Sequence, residues 1–181
     1  MASIIRVNQI QTTAGAVPTA ADLGLNVTGT VLQVVNHQFG SVLNLGDARF
    51  PYDDTIPLIS EGGEVMTLAI TPTAATSKLK IDVLVNTSPS ISGEKMIVAL
   101  FQDTTANALA CVSDEFYDAG CMVVIPLMYF ANASSTSART YKVRLGRTDS
   151  HGNPVTVNGY NGARKFGGVL ATGITITEIA G

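Results

Sequence analysis

The stretch EVMTLAITPTAATSKLKIDVLVN, residues 64–86, constrains the fold more than any other part of the chain. In its second half Leu79, Ile81, Val83 and Val85 alternate with Lys78, Lys80 and Asp82. A period of two places the apolar set on one face of an extended strand and the charged set on the other. In the first half Met66, Leu68 and Ile70 alternate in the same way with Thr67, Ala69 and Thr71. Pro72 has no N–H to give to a ladder, and the Thr and Ser residues after it satisfy turn backbone locally. The expected unit is strand–loop–strand with one buried face. Such a unit points to a structural or binding protein and not to an enzyme.

The rest of the chain repeats this grammar. Strands are expected over residues 30–39, 94–103, 108–112, 121–130, 139–147, 155–157 and 166–179. Residues 96–101 are apolar on both faces, so they belong inside a sandwich or against a partner. Pro126 marks its strand as an edge or a bulge. In residues 30–39, Gln33, Asn36 and His37 interrupt the apolar faces, so one side is solvated or at an interface. Residues 40–63, 103–107, 113–120, 132–137, 148–154 and 158–164 read as loops and turns, the stretch 113–120 being acidic. Strands at this spacing, joined by Ser/Thr/Gly/Pro turns, predict an all-β fold, an antiparallel sandwich of jelly-roll type. ITPTAATSKLKI and FANASSTSARTY echo one another, which suits two similar hairpins in paired Greek keys.

Residues 1–29 cannot build a core of their own. The expected division is an extended N-terminal docking arm, 1–29, and a β-sandwich domain, 30–181. Ile4, Ile5, Val7 and Ile10 are the candidate anchoring residues of the arm. A terminal strand docked on its own domain is the plainer alternative. The start of the chain lacks an apolar core and cleavage site of secretory type, so no signal peptide is expected.

Surface chemistry follows from charge. Eleven basic and fourteen acidic residues give a net charge of −3, and the charged fraction is 14%, well below the usual quarter or so. Spread over the roughly 8,300 Å² that a monomer of this mass exposes, these charges leave a largely neutral exterior. Mean hydropathy is +0.29. A surface of that kind predicts cover by partners, most simply by other copies of the chain. The negative balance argues against an electrostatic grip on nucleic acid or anionic lipid. The longest apolar run, residues 121–131, is too short for a membrane-spanning helix. Cys111 and Cys121 lie ten apart without a CxxC motif. A buried pair of free thiols is the first expectation, a disulfide or a metal site the alternative.

Catalytic patterns are weak. Asp149, Ser150 and His151 are triad residue types, but adjacent residues cannot face one another in triad geometry. Asp53 and Asp54 lack further oxygen ligands at calcium-loop spacing. The acidic groups Glu61/Glu64 and Asp114/Glu115/Asp118 stand in loops with no implied apolar pocket. No enzyme, cofactor or metal is expected. The better lead is Phe116, Tyr117, Tyr160 and Asn161, set in expected loops with Tyr52. Tyrosine packs on sugar or protein while its hydroxyl bonds to water or partner, so these are candidate host-surface contacts. The alternative is that the aromatics plug the ends of the sandwich.

The segments PYDDTIP, ITPTAATSKLKIDV, ALFQDTTANALA and NGARKFGGVLATGITITEI, in that order, resemble a β-sandwich domain of bacteriophage virion structural proteins, usually found at the distal end of tail fibres. The opening, IIRVNQIQTTAGAVPTAADLGLNVTGTVLQVV, resembles the leader segments that precede such domains. The resemblance implies a virion component made in the host bacterial cytoplasm, homotrimeric, exposed on the particle and carrying no catalytic residues. Fibres of this kind usually have a long shaft before the terminal domain, whereas residues 1–29 are what precedes it here. A head fibre, a capsid decoration protein or a small tail appendage is therefore an expectation beside a tail fibre. Partners would be other virion proteins and, at the exposed end, host-surface glycan.

Overall fold

The computed structural model of the chain describes residues 15, 17, 28–150 and 152–181. The candidate anchors Ile4, Ile5, Val7 and Ile10, and His151, lie outside the described residues. The strands are β1 (Val31–Phe39), β2 (Leu43–Asn44), β3 (Gly63–Ile70), β4 (Lys78–Ser88), β5 (Glu94–Gln102), β6 (Ala110–Phe116), β7 (Val123–Asn132), β8 (Arg139–Arg147), β9 (Thr156–Val157), β10 (Gly159–Tyr160), β11 (Ala163–Arg164) and β12 (Thr172–Ile179).

Apart from the small β10–β11 hairpin, they form two facing antiparallel sheets. In the first, β1 pairs with β12, β12 with β4, and β4 with β7. The short β9 continues the line of β12 beside β4, and β2 pairs with β9. The second runs β3-β8-β5-β6. Among the long strands every connection except β5–β6 crosses from one sheet to the other. This is the jelly roll expected from the sequence.

The core lies between the sheets. Leu79, Ile81, Val83 and Val85 of β4 face Met66 and Ile70 of β3 and Tyr141, Val143 and Leu145 of β8, all buried. The period-two reading therefore holds in both halves of residues 64–86. At about 25 cal/mol per Å² of apolar area, each of these buried aliphatic side chains contributes on the order of 2 kcal/mol. β5 is buried on both faces, as its composition requires. Its second face is roofed by the chain itself: Phe50, Ile59 and Ala108 pack on Ile97, Ala99 and Phe101.

Three expectations are corrected. First, β3 and β4 are not a hairpin; they stand in opposite sheets, as do β7 and β8. The two echoing segments are equivalent corners at one end of the sandwich, joined by the Ala133 N–H donating to the Ser77 carbonyl at 2.8 Å. Second, residues 113–116 belong to β6, not to a loop. The edge strand β6 carries its charges outward, and Glu115 pairs with Lys95 opposite it at 3.4 Å. Third, the thiols are free but not both buried: Cys111 is exposed, and Cys121 donates to the Asp118 carbonyl.

The strand directions sort the loops into two ends. Residues 71–77, 103–109 and 133–138 lie at one end. The Gly29 N–H donates to the Ala180 carbonyl there, so both termini of the sandwich leave from this end. Residues 40–62, 89–93, 117–122 and 148–171 begin from the opposite end.

Candidate functional site: the loop end of the sandwich

The loop end is organised by Arg147, the last residue of β8, whose side chain is fully buried. Its guanidinium bonds to the Asp47 carboxylate and the Asn153 carbonyl, and lies 3.7 Å from the Glu94 carboxylate. Its backbone bonds to Phe50 and Ala48. One side chain thus joins the loop before β3, the first residue of β5 and the loop after β8. The rigid planar fork of arginine suits this, because it can serve several acceptors at fixed angles. Glu94, also buried, accepts from the Ser90 N–H and so fixes the turn between β4 and β5. The hydrogen bond from Arg147 holds the Asp47 carboxyl below its ordinary pKa, with the Arg49 charge acting in the same direction.

Beneath the loops lies a buried polar layer. The Asn158 amide donates to the Phe39 and Ser41 carbonyls and accepts from the Thr172 hydroxyl at 2.9 Å. The Asn86 amide donates to the Ala171 carbonyl, and the Ser88 hydroxyl to that of Gly159. These bonds satisfy backbone left open where β12 gives way to β9, as buried polar groups require.

Three of the four sequence-derived contact residues meet at this end. The Gly/Asn turn is a β10–β11 hairpin with Asn161 and Gly162 both at positive φ, 47° and 73°. That is the primed two-residue turn, in which Asn-Gly is favoured. It leaves Asn161 exposed at the tip. The Tyr160 ring lies over Gly120, where a Cβ would stand 3.4 Å from it, and the Lys165 ammonium is 6.0 Å from the ring centroid. The Ser92 hydroxyl holds the Tyr117 carbonyl, while the Tyr117 side chain is 76% exposed. Phe116 is the correction: it ends β6 and is buried in the core, because its position alternates inward from the exposed Glu115. For this ring the end-plug reading is right.

The sequence reading missed a second part of the site. Asn44, Asp47, Ser150, Asn153 and Pro154 line an open cleft of about 370 Å³. The cleft offers carboxylate, amide and hydroxyl groups to a neutral polar ligand. The only legible signal was Asn44-Leu-Gly-Asp47, a turn-like sequence inside a segment that otherwise reads as irregular. Asp53, considered as a cation ligand, instead accepts from the Thr55 hydroxyl and N–H, which hold its pKa low. Among the described residues there is no group of three or more His, Cys, Asp or Glu able to hold a metal ion.

No protein-family model matches the chain, and no curated protein sequence matches it. Solved structures do. The chain is similar to the VP2 subviral particle of infectious bursal disease virus at 12% identity and TM-score 0.41, over 83% of this chain and 34% of that one. It thus spans about a third of the VP2 chain. It is similar to the TNF protein Eiger of S. frugiperda at 10% identity and TM-score 0.44, over 81% of this chain and 93% of that one. It is similar to the C-terminal domain of EclA, a sugar-binding protein, at 16% identity and TM-score 0.36, over 83% of this chain and 86% of that one.

Proposed function

We propose that the chain is a non-enzymatic structural protein of a bacteriophage virion, a short surface appendage of tail-fibre or head-fibre type. Its N-terminal arm docks on the particle, and its sandwich projects outward as part of a homo-oligomer. The observation that carries this reading is polarity: the arm joins the sandwich at the terminus end, and Tyr117, Tyr160, Asn161 and the Asp47 cleft stand at the other. An appendage needs that separation of anchor from contact surface. The sequence resemblance and the neutral exterior support the same reading, with assembly in the host bacterial cytoplasm.

The test is made in the phage. Removing residues 1–27 keeps the Gly29–Ala180 bond and should give a folded protein that no longer enters particles. Normal incorporation would end the anchoring half of the proposal. On a host glycan array, the intact protein should bind, and Tyr117→Ala with Tyr160→Ala should weaken binding at least tenfold. Silence across host polysaccharides would remove the attachment role. A capsid decoration protein is the second reading, favoured by the exposed apolar face of the first sheet. Electron microscopy of labelled particles separates the two by placing the protein on fibre or shell.

A further inference from the structure

The two sheets differ in how their outer faces are finished. The second sheet is roofed over β5 by residues of the long loop before β3. The first has no such roof among the described residues. There β7 turns Val124, Pro126, Met128 and Phe130 outward, alternating with the inward Ile125 and Leu127. Leu84 of β4 stands opposite Pro126. Val124 and Leu84 are 51% exposed, Phe130 52% and Met128 61%. Beside this ridge, on the same face, Gly173 of β12 floors a shallow groove of about 170 Å³ between Asn36, Gln38, Asp82, Leu84 and Thr175. Ridge and groove are two strands apart, about 10 Å, with Leu84 between them. Of the three charges that β4 turns to this face, Lys80 and Asp82 pair with each other at 2.8 Å, and Lys78 stands at the first position of the strand. A neutral surface can therefore approach the middle of this face over a charge pair that is already compensated, with Lys78 left at its margin.

We infer that this face is a contact between two copies of the chain. A two-fold axis passes near Leu84, and the β7 ridge of each copy sits in the Gly173 groove of the other. Such an isologous contact needs both complementary features on one patch, and this patch has them. Its size is of the right order: the four strands run side by side for the 8 residues of β12, roughly 500 Å² in projection, against the ~800 Å² that each partner buries in a stable complex. The inference adds a surface to the self-association proposed above and is independent of particle docking and of glycan binding. A two-fold pair also differs from the trimer that the resemblance implies.

Sedimentation equilibrium of the full chain at micromolar concentration decides it. The expected mass is that of two chains, each 18.9 kDa. Met128→Glu with Phe130→Glu should reduce it to one chain with an unchanged circular dichroism spectrum. Phe166→Glu, at an exposed apolar residue of the loop end, should leave the pair intact. Gly173→Val fills the groove instead of charging the ridge and should also give single chains; it decides the matter if the double variant does not fold. A wild-type mass of one or three chains, or a pair that survives these changes, overturns the inference.

Discussion

At the scale of the residue, two buried charged side chains set the behaviour of the two ends. Arg147 sits with Glu94 in the interior of the loop end. Removing one member of a buried pair strands the other, at about 3–5 kcal/mol. Arg147→Ala should therefore lower stability in urea melts by about that amount. Hydrogen exchange should rise first in residues 46–50 and 148–154, the loops it ties. At the terminus end, Glu178 is buried and accepts from the Gln33 amide and from the N–H and hydroxyl of Thr73. Burial pushes its pKa up, but the hydrogen bonds led by Gln33 outweigh burial and hold it below the ordinary 4.5. A carboxylate whose folded pKa is depressed contributes stability that is complete above its unfolded pKa and is lost as pH falls through the folded value. Glu178→Gln should thus lower stability at pH 7 and flatten its decline below about pH 4.5, as urea melts across pH would show. Neither role could be read from the sequence. Arg147 and Glu178 close ordinary alternating strands, where a charge normally marks a solvated end.

At the scale of the element, alternation is legible but pairing is not. Leu79, Ile81, Val83 and Val85 declare a strand and its buried face, and that reading survives intact. The same pattern serves a hairpin and a corner equally, so β3 and β4 gave no sign of standing in different sheets. Pro126 did give such a sign: among the described residues β7 pairs with β4 alone and forms an edge, where the missing N–H costs no ladder bond. The polar interruptions of β1 also have their reason. The Gln33 amide bonds to the Thr71 carbonyl, and His37 lies 3.1 Å from that of Thr67, so these inward side chains lace the open side between the sheets. Local turn chemistry was the most legible signal, because Asn161-Gly162 needs no distant partner. Gly162 adopts φ 73°. Gly162→Ala should cost about 1–2 kcal/mol from the left-handed backbone, while Asn161→Gly should be near neutral. Thermal melts of the two variants would separate them.

At the scale of the whole molecule, the jelly roll explains why contact residues scattered along the sequence share one end. Tyr117, Tyr160 and the Asp47 cleft together draw on three connections, residues 40–62, 117–122 and 148–171, and the antiparallel strand order brings these to one end. The same topology puts the first and last described strands, β1 and β12, side by side along their whole length. The beginning of the sandwich is therefore a structural part of its end. The Gly29 N–H donates to the Ala180 carbonyl at 2.9 Å, and the Ala180 N–H to that of Thr30 at 2.8 Å. A chain beginning at Thr28 keeps both bonds, and its melting temperature should match that of the full chain. A chain beginning at Leu32 loses both, and frees the start of β1 beside the Glu178 cluster. Two lost hydrogen bonds at about 1 kcal/mol each lower the melting temperature by roughly 5 °C or more in a domain of this size. Equal melting of the two truncations would show that the strap holding the termini together adds nothing. A drop confined to the shorter chain would place the boundary between arm and sandwich within residues 28–31, where any graft or deletion should be made.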